Sequence, residues 1–280
     1  GVATLERLRP ATPEGRHIRA VRLRDAEWTA GAPRIVVNCL LHAREWMSAM
    51  VGTFLAERCV AKKAAEPGWL AGMELIIVPV SNPDGFVHST TVDALWRKSR
   101  NILSGSACKG VDLNRNWGTD WNGGEKTSTS ECSDVYVGPS AHSEPEVQAM
   151  KALLDDAPLH IHLDVHSYSQ MIVGPWGHTN ADHPDKATID SIGLEIQSAI
   201  ASVSGNTYRY GTGDAGGAIY LASGVMQDYS TQLGAYGYTI ELPPNSWEAG
   251  GFFPLASTIT PTGEELFAAV GAVVARLGQT

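Results

Sequence analysis

A histidine and a glutamate three residues apart are the first side chains in this sequence that could do chemistry. His42 and Glu45 follow the mostly apolar run Ile35–Leu41. Residues i and i+3 lie on one face of a helical turn, so one metal ion could bind the imidazole and the carboxylate together. Both groups are ordinary ligands of zinc. The pair alone is weak evidence, because the helix dipole favours a glutamate in the first turn of any helix.

A second cluster of candidate ligands lies in the segment 159–168, where apolar and polar residues alternate. One face of this predicted strand carries four polar side chains: His160, His162, Asp164 and His166. A metal site made within the strand from the last three of them is an alternative, but such side chains point in parallel rather than converge. We favour His166, at the carboxyl end of the strand, as the third ligand with His42 and Glu45. The fourth position of this His2Glu site is open to water, as a catalytic zinc requires.

Glu241 is the candidate general base. It stands in the otherwise apolar run Tyr236–Leu242, which ends before two prolines. Burying a carboxylate is costly unless the group is paired or used, and a metal-bound water needs a base to take its proton. When Glu241 is considered in isolation, an exposed position on an edge strand is the alternative.

Two alternating patterns describe the elements that must position these side chains. Short apolar, β-branched runs predict six strands: Ile18–Leu23, Arg34–Leu41, Glu74–Val80, Ile161–Val165, Met171–Val173 and Tyr236–Leu242. Longer amphipathic stretches predict four helices: Glu45–Lys63, Ser143–Leu154, Ala187–Ser204 and Pro261–Leu277. The alternation predicts an α/β fold around a largely parallel sheet, whose ligands bind beyond the carboxyl ends of the strands. Residues 100–140 lack periodicity, and we expect a functional or cross-linked loop there.

The composition limits the partners. The chain has 280 residues, with 21 Lys and Arg against 30 Asp and Glu, and a formal net charge of −9. Without a basic cluster it lacks the electrostatic footprint of nucleic-acid binding and the basic amphipathic face that binds anionic membranes. No apolar run approaches the roughly 18 residues that span a bilayer. We expect peptides or small molecules as partners. Since no repeat or linker divides residues 1–280, we also expect a single domain.

Seven motifs occur in one order along the chain: His42–Trp46, Ser81–Phe86, Leu95–Lys98, Gly110–Trp117, His166–Gln170, Ile219–Tyr220 and Glu241–Leu242. With these motifs the sequence resembles the zinc metallocarboxypeptidases of the pancreatic carboxypeptidase A/B type. The resemblance implies a three-layer α/β/α fold with a mixed, mostly parallel, twisted sheet. It also implies a secreted, zinc-dependent exopeptidase. Such an enzyme hydrolyses the C-terminal peptide bond of peptides and proteins by attack of a zinc-bound water that a glutamate activates.

The resemblance implies a role for each matching residue. Three residues bind the single Zn²⁺ of each chain: His42, Glu45 and His166. Two act on the reacting atoms: Glu241 is the general base, and Arg97 is the cation that stabilises the oxyanion. Three bind the terminal carboxylate of the substrate: Asn114, Arg115 and Tyr220. Three form outer subsites: Arg44, Tyr168 and Phe252. Behind the metal, a carboxylate accepts a hydrogen bond from His42: Asp112.

Two other functions are compatible with the same fold. A related zinc amidohydrolase, such as an N-acyl amino acid deacylase, uses the same His2Glu site, and an inactive binding homologue keeps the fold without the reaction. The carboxylate-binding residues Asn114, Arg115 and Tyr220, with the motif Leu95–Lys98, argue against the deacylase. The complete set of ligands and base argues against an inactive protein.

Gln227 occupies the position that the resemblance assigns to the base of the side-chain pocket. In the family an apolar residue there selects aliphatic and aromatic C-termini, and an aspartate selects Lys and Arg, so Gln227 matches neither pattern. Asp214 or Asp164 could still supply a charge, although turn chemistry in the Gly-rich segment 211–217 and a place on the strand face explain them better. We expect a neutral pocket that takes apolar and polar side chains and tolerates basic ones weakly.

The four cysteines indicate the compartment. The resemblance places a disulfide between Cys108 and Cys132, which implies an oxidising, extracellular environment. Cys39 lies in a predicted strand and Cys59 in the next helix, so both are expected to be free buried thiols. A bridge between these two is the less favoured alternative.

Further expectations come from the resemblance. It implies cis peptide bonds at 167–168 and 175–176. Relative to the family the sequence begins late, so the first helix of the catalytic domain and an inhibitory pro-domain are expected to be absent. A monomer is the default expectation and does not come from the resemblance.

Overall fold

The computed structural model describes residues 3–124, 126–216 and 219–279. Within these ranges the chain forms eight strands: β1 (Thr4–Arg7), β2 (Arg19–Arg24), β3 (Arg34–Cys39), β4 (Glu74–Val80), β5 (Ile161–Ser167), β6 (Met171–Gly174), β7 (Arg209–Thr212) and β8 (Tyr236–Leu242). The same ranges contain six α-helices: α1 (Trp46–Ala65), α2 (Pro83–Thr91), α3 (Pro145–Asp155), α4 (Lys186–Ser204), α5 (Met226–Gln232) and α6 (Ile259–Leu277). None of these helices has the length and apolarity needed to cross a membrane.

The eight strands form one mixed sheet in the order β1-β2-β4-β3-β5-β8-β6-β7. The central strands β4, β3, β5 and β8 run parallel. The antiparallel pairs are β1 with β2, β2 with β4, and β6 with β8. Parallel neighbours end at the same edge of a sheet, so the segments that follow β3, β5 and β8 meet there. The predicted α/β fold with a mixed, mostly parallel sheet is confirmed.

Each face of the sheet packs against helices. On one face, α1, α4 and α6 bury a core with alternate residues of β5, among them Leu163 and Val165. On the other face, α3 and α5 pack over Val36, Ile76 and Val78. Since successive side chains of a strand point to opposite faces, the intervening polar residues of β5 turn toward this second layer. The sheet therefore lies between two layers of helices. The polar side chains of the central strand β5 are buried on the face that α3 and α5 cover.

Four elements were not predicted from the sequence. The strands β1 and β7 have four residues each and form the two edges of the sheet. The helix α5 has seven residues, and α2 has nine and includes Gly85, a poor helix former. Asn82 starts α2 because its side-chain oxygen accepts the backbone N–H of Gly85, the hydrogen bond of an N-cap. Segments this short contain too few turns or alternations for a periodic pattern to appear.

Candidate active site

The candidate metal ligands and base meet at the carboxyl edge of the central strands. His42 and Glu45 follow β3 in a turn that the Glu45 N–H closes onto the His42 carbonyl at 3.1 Å. His166 lies one residue before the end of β5, and Glu241 is its register partner on β8. The i, i+3 relation expected from a helical turn is therefore provided by a turn that precedes α1, which begins at Trp46.

Three ligand atoms converge on one point. Nδ1 of His42 lies 2.7 Å from Oε1 of Glu45, and Nδ1 of His166 lies 2.9 Å from Oε2 of the same carboxylate. The two Nδ1 atoms are 3.1 Å apart, and all three residues are buried. In a tetrahedral zinc site with bonds of about 2.0–2.1 Å, ligand atoms lie about 3.3 Å from one another. The donor set and its spacing therefore fit a zinc ion.

Each histidine turns its outer nitrogen toward a fully buried carboxylate. Nε2 of His42 lies 3.2 Å from Oδ1 of Asp112, and Nε2 of His166 lies 3.0 Å from Oδ2 of Asp164. Carboxylates in this position fix the tautomer and orientation of a metal-binding imidazole. Asp112 is placed where the sequence predicted a partner for His42, and Asp164 lies behind the metal ligands rather than in the cavity.

A buried chain of polar side chains continues from Asp164. Nδ2 of Asn38 donates to Oδ1 of Asp164 at 2.7 Å, and Oδ1 of Asn38 lies 2.6 Å from Nε2 of His162. Nδ1 of His162 lies 2.8 Å from Oγ of Ser230 on α5. This connection was not predicted from the sequence, although the polar alternation of β5 and the polar Asn38 in a buried strand were signals of it. The register of β3 against β5 brings the residues together.

Arg97 and Asp112 form a buried ion pair beside the ligands. Nε and Nη2 of Arg97 donate to Oδ2 of Asp112 at 3.0 and 2.9 Å, and Nη1 lies 4.0 Å from Oε1 of Glu45. Burial opposes both charges, but the Asp112 charge outweighs it and raises the pKa of Arg97. In turn the charges of Arg97 and His42 hold the pKa of Asp112 well below its usual value. Arg97 therefore presents a permanent positive charge to the cavity that it lines.

Glu241 lines the same cavity as His42 and His166. Its Oε2 is buried without a hydrogen-bond partner in the described part of the chain. Burial, followed by the negative charge of Glu45, raises the pKa of Glu241 to about 8. A carboxylate with raised proton affinity in a cleft is suited to proton transfer near neutral pH.

The wall of this cavity contains the three residues that the sequence predicted to bind a carboxylate: Asn114, Arg115 and Tyr220. Arg115 is anchored by two backbone carbonyls, since Nε donates to Lys126 O at 2.7 Å and Nη1 to Asn114 O at 2.6 Å. Its guanidinium carbon lies 5.9 Å from the centre of the Tyr220 ring. Oδ1 of Asn114 accepts the backbone N–H of Met226 at 2.8 Å. The wall thus offers a fixed cation and an exposed tyrosine to an anionic ligand.

The three residues expected in outer subsites also contact one another. The guanidinium carbon of Arg44 lies 4.7 Å from the centre of the Phe252 ring, and the ring of Phe252 packs edge-on against Tyr168 at 5.0 Å. They lie outside the cavity lined by Glu241. Arg44 also reaches Oδ2 of Asp134 at 3.3 Å. The structure therefore places these three side chains as one cluster next to the candidate site.

Gln227, on α5, lines the cavity and is buried. The neighbouring Asp228 is turned away, because its carboxylate accepts the backbone N–H groups of Gly177 and His178. Asp214 accepts the N–H of Gly216 in its turn and does not line the cavity. With Asp164 facing His166, none of the three aspartates reaches the cavity wall.

Comparison with known proteins identifies the family. A family model described as zinc carboxypeptidase matches residues 10–269. The chain belongs to the zinc carboxypeptidase family. This is the family that the sequence motifs indicated, and the match does not favour a deacylase or an inactive homologue. Zinc, as the metal of the family, agrees with the ligands His42, Glu45 and His166.

Individual carboxypeptidases are similar over most of the chain. Carboxypeptidase A4 of Mus musculus is 37% identical over 241 residues, which are 83% of this chain and 56% of the relative. Carboxypeptidase B of Astacus astacus is 35% identical over 93% of this chain and 85% of the relative. The crystal structure of carboxypeptidase A from Helicoverpa armigera superposes with a TM-score of 0.86 at 33% identity, covering 99% of this chain and 68% of that one. The chain thus spans little more than half the length of the mouse carboxypeptidase.

Other structural expectations from the sequence are met. Cys108 and Cys132 form a disulfide, whereas Cys39 and Cys59 are free and buried. The peptide bonds Ser167–Tyr168 and Pro175–Trp176 are cis. A structural disulfide is typical of extracellular proteins, so it is consistent with the predicted compartment.

The disulfide is expected to contribute strongly to stability. It closes a loop with a sequence separation of 24 residues, so replacing Cys108 and Cys132 together by serine should lower the free energy of unfolding by about 3 kcal/mol. Denaturant titration measures this difference. A reductant should lower the stability of the unmodified chain to that of the double variant and leave the variant unchanged. Equal stabilities of the two proteins without reductant would contradict the prediction.

Proposed function

We propose that this chain is a zinc-dependent exopeptidase that removes the C-terminal residue of peptides and proteins. The observation that carries the proposal is one cavity lined by a metal ligand, His166, by the carboxylate Glu241 and by the cations Arg97 and Arg115. The residues proposed for hydrolysis and those proposed for anion binding line the same cavity. We further propose one Zn²⁺ per chain, an extracellular location and a monomer.

Arg115 makes the reaction selective for a free C-terminus. Its planar guanidinium matches the geometry of a carboxylate, and the backbone hydrogen bonds from Nε and Nη1 fix its direction. Asn114 and Tyr220 lie beside it and add hydrogen-bond donors. With the terminal carboxylate held by these three groups, the last peptide bond of the substrate is presented to Glu241. An internal peptide bond has no carboxylate to offer.

Glu241 and Arg97 have different roles in the proposed reaction. Glu241 takes the proton of the attacking water and returns it to the nitrogen of the leaving residue. Arg97, held by Asp112, faces the carbonyl oxygen on which negative charge develops, and a prepositioned cation stabilises that charge without reorganisation. When bound by His42, Glu45 and His166, a zinc ion supplies Lewis-acid polarisation and lowers the pKa of water to about 7. Each role rests on a side chain that lines the cavity or lies directly behind it.

The proposal is tested with blocked dipeptides that end in methionine or glutamine, each as the free acid and as the C-terminal amide. We expect the zinc-loaded protein to hydrolyse free acids and to leave both amides intact, because only the free acid pairs with Arg115. A chelator should abolish the activity, and added zinc should restore it. Cleavage of the amides at similar rates, or activity that survives complete removal of the metal, would reject the proposal.

A further inference from the structure

Besides the reacting groups, small and apolar residues line the cavity: Val173, Gly177, Gly213, Ile219, Ala222 and Val225. Two polar side chains interrupt these walls, Gln227 from α5 and Thr239 from β8. Thr239 lies two residues before Glu241, so both side chains point to the same face of β8. Two residues of a strand span about 7 Å. A substrate side chain that extends from a peptide bond at Glu241 therefore reaches this polar pair.

Only one of the two polar atoms of the Gln227 amide has a hydrogen-bond partner in the described part of the chain. Its Oε1 accepts the hydroxyl of Thr239 at 2.6 Å. Its Nε2 is buried and has no hydrogen-bond partner in the described part of the chain. A buried donor without an acceptor is unfavourable, and most such groups in proteins have a partner. A ligand that brings an acceptor to Nε2 removes this defect, whereas an apolar ligand leaves it in place.

Among the described residues, the small, apolar and amide-bearing part of the cavity wall contains no charged side chain. Asp228 is occupied by backbone N–H groups and by the ring of His178, and Asp214 lies in its own turn. Among the described residues that line the cavity, the arginines are Arg97 and Arg115 and the carboxylate is Glu241, and the proposed reaction uses all three. A lysine or glutamate side chain beside Gln227 would give up its water molecules and gain only neutral partners. Such desolvation is costly for an ion.

We propose that Gln227 selects substrates with a neutral amide side chain at the C-terminus, glutamine first and asparagine next. The inference rests on the proposed carboxypeptidase function. The substrate amide oxygen accepts Nε2–H of Gln227, and the substrate amide N–H donates to Oγ1 of Thr239. An amide has both a donor and an acceptor, so it can pair with Gln227 whichever way the Gln227 amide is oriented. Lysine offers only donors and methionine offers neither a donor nor a strong acceptor.

The test compares kcat/KM for blocked dipeptides that differ only in their last residue: glutamine, methionine, glutamate or lysine. Methionine matches glutamine in length and lacks the amide. We expect glutamine to exceed each of the others by about 10-fold or more, because a site built for a hydrogen bond rejects the analogue that lacks it. If methionine is cleaved as well as glutamine, the inference is overturned while the carboxypeptidase function stands. If no free acid is cleaved, both fail.

Two variants identify the residue responsible. Gln227→Leu should lower kcat/KM for the glutamine substrate by about 10-fold or more and make methionine the better substrate, because the donor is gone. Gln232→Leu, on the exposed end of the same helix, is the matched control and should keep the preference for glutamine. Unfolding curves of both variants verify that they fold. An unchanged preference in folded Gln227→Leu would overturn the assignment.

Discussion

Replacement of Glu241 by glutamine should reduce kcat by about 10³-fold, within the range of about 10²–10⁴ for loss of a general acid–base group. The substitution keeps the shape of the side chain but removes its ability to accept a proton. Zinc content, measured by atomic absorption, should stay at the level of the unmodified protein, because His42, Glu45 and His166 remain in place. KM should change little, since Arg115 still binds the terminal carboxylate.

Stability separates this catalytic role from a structural one. The carboxylate of Glu241 is buried near Glu45, and its Oε2 has no partner in the described part of the chain. Burial and the charge of Glu45 raise its pKa to about 8. The ionised form of Glu241 therefore lowers the free energy of unfolding. The neutral amide in Glu241→Gln should therefore leave the free energy of unfolding equal or higher while activity collapses.

A nearby glutamate supplies the control for this experiment. Glu248 is exposed in the loop that follows β8, so Glu248→Gln should keep normal activity and stability. If Glu241→Gln retains more than about one tenth of the activity, another group must accept the proton. If both activity and stability fall together, Glu241 acts by supporting the fold.

The meeting of the candidate ligands and base could be predicted because clear strand patterns precede or contain them, although the spacing of His42 and Glu45 alone is weak evidence. β8 has the predicted bounds Tyr236–Leu242, and the polar alternation of β5 is enough to predict His166 at the end of a strand. Since the ends of parallel neighbouring strands must meet, a histidine and a glutamate after one strand and a histidine at the end of another define a common site. The motifs then distinguished this site from an accidental cluster.

The partners behind the ligands depend on distances that a sequence does not contain. Asn38 and Asp164 are 126 positions apart, yet the parallel register of β3 and β5 makes them neighbours. The link from His162 to Ser230 needs the position of α5, a helix of seven residues. Residue types indicated that these side chains were unusual for buried strands, but only the sheet register shows which of them bind one another.

The orientation of adjacent residues in the selectivity pocket also could not be predicted from the sequence. Asp228 immediately follows Gln227, and sequence spacing alone does not reveal which of the two faces the cavity. In the structure a helical step separates them, so that Asp228 binds backbone N–H groups while Gln227 lines the cavity. The expected neutral pocket agrees with this arrangement. The unpaired Nε2 of Gln227 could not be foreseen, because it depends on the position of Thr239.

Replacement of Asp112 by asparagine should affect stability and metal binding at once. Asp112 accepts both Nε and Nη2 of Arg97 and faces Nε2 of His42. Removing its charge takes from the buried Arg97 cation the carboxylate that accepts its two hydrogen bonds, and breaking a buried pair in this way costs about 3–5 kcal/mol. Because the His42 imidazole also loses the carboxylate that orients it, zinc affinity should fall by about 10–100-fold. Denaturant titration of the metal-free protein and competition with a chelator measure the two effects separately.

A double variant distinguishes these two roles of Asp112. Arg97→Met combined with Asp112→Asn removes the buried cation together with its partner, so most of the lost stability should return, as it does when buried ion pairs are replaced by well-packed neutral groups. Zinc affinity should remain low, since nothing restores the carboxylate behind His42. Activity should remain low as well, because Arg97 no longer faces the developing oxyanion. If zinc affinity recovers together with stability, Asp112 supports the metal only through the fold, and its hydrogen bond to His42 has no separate effect.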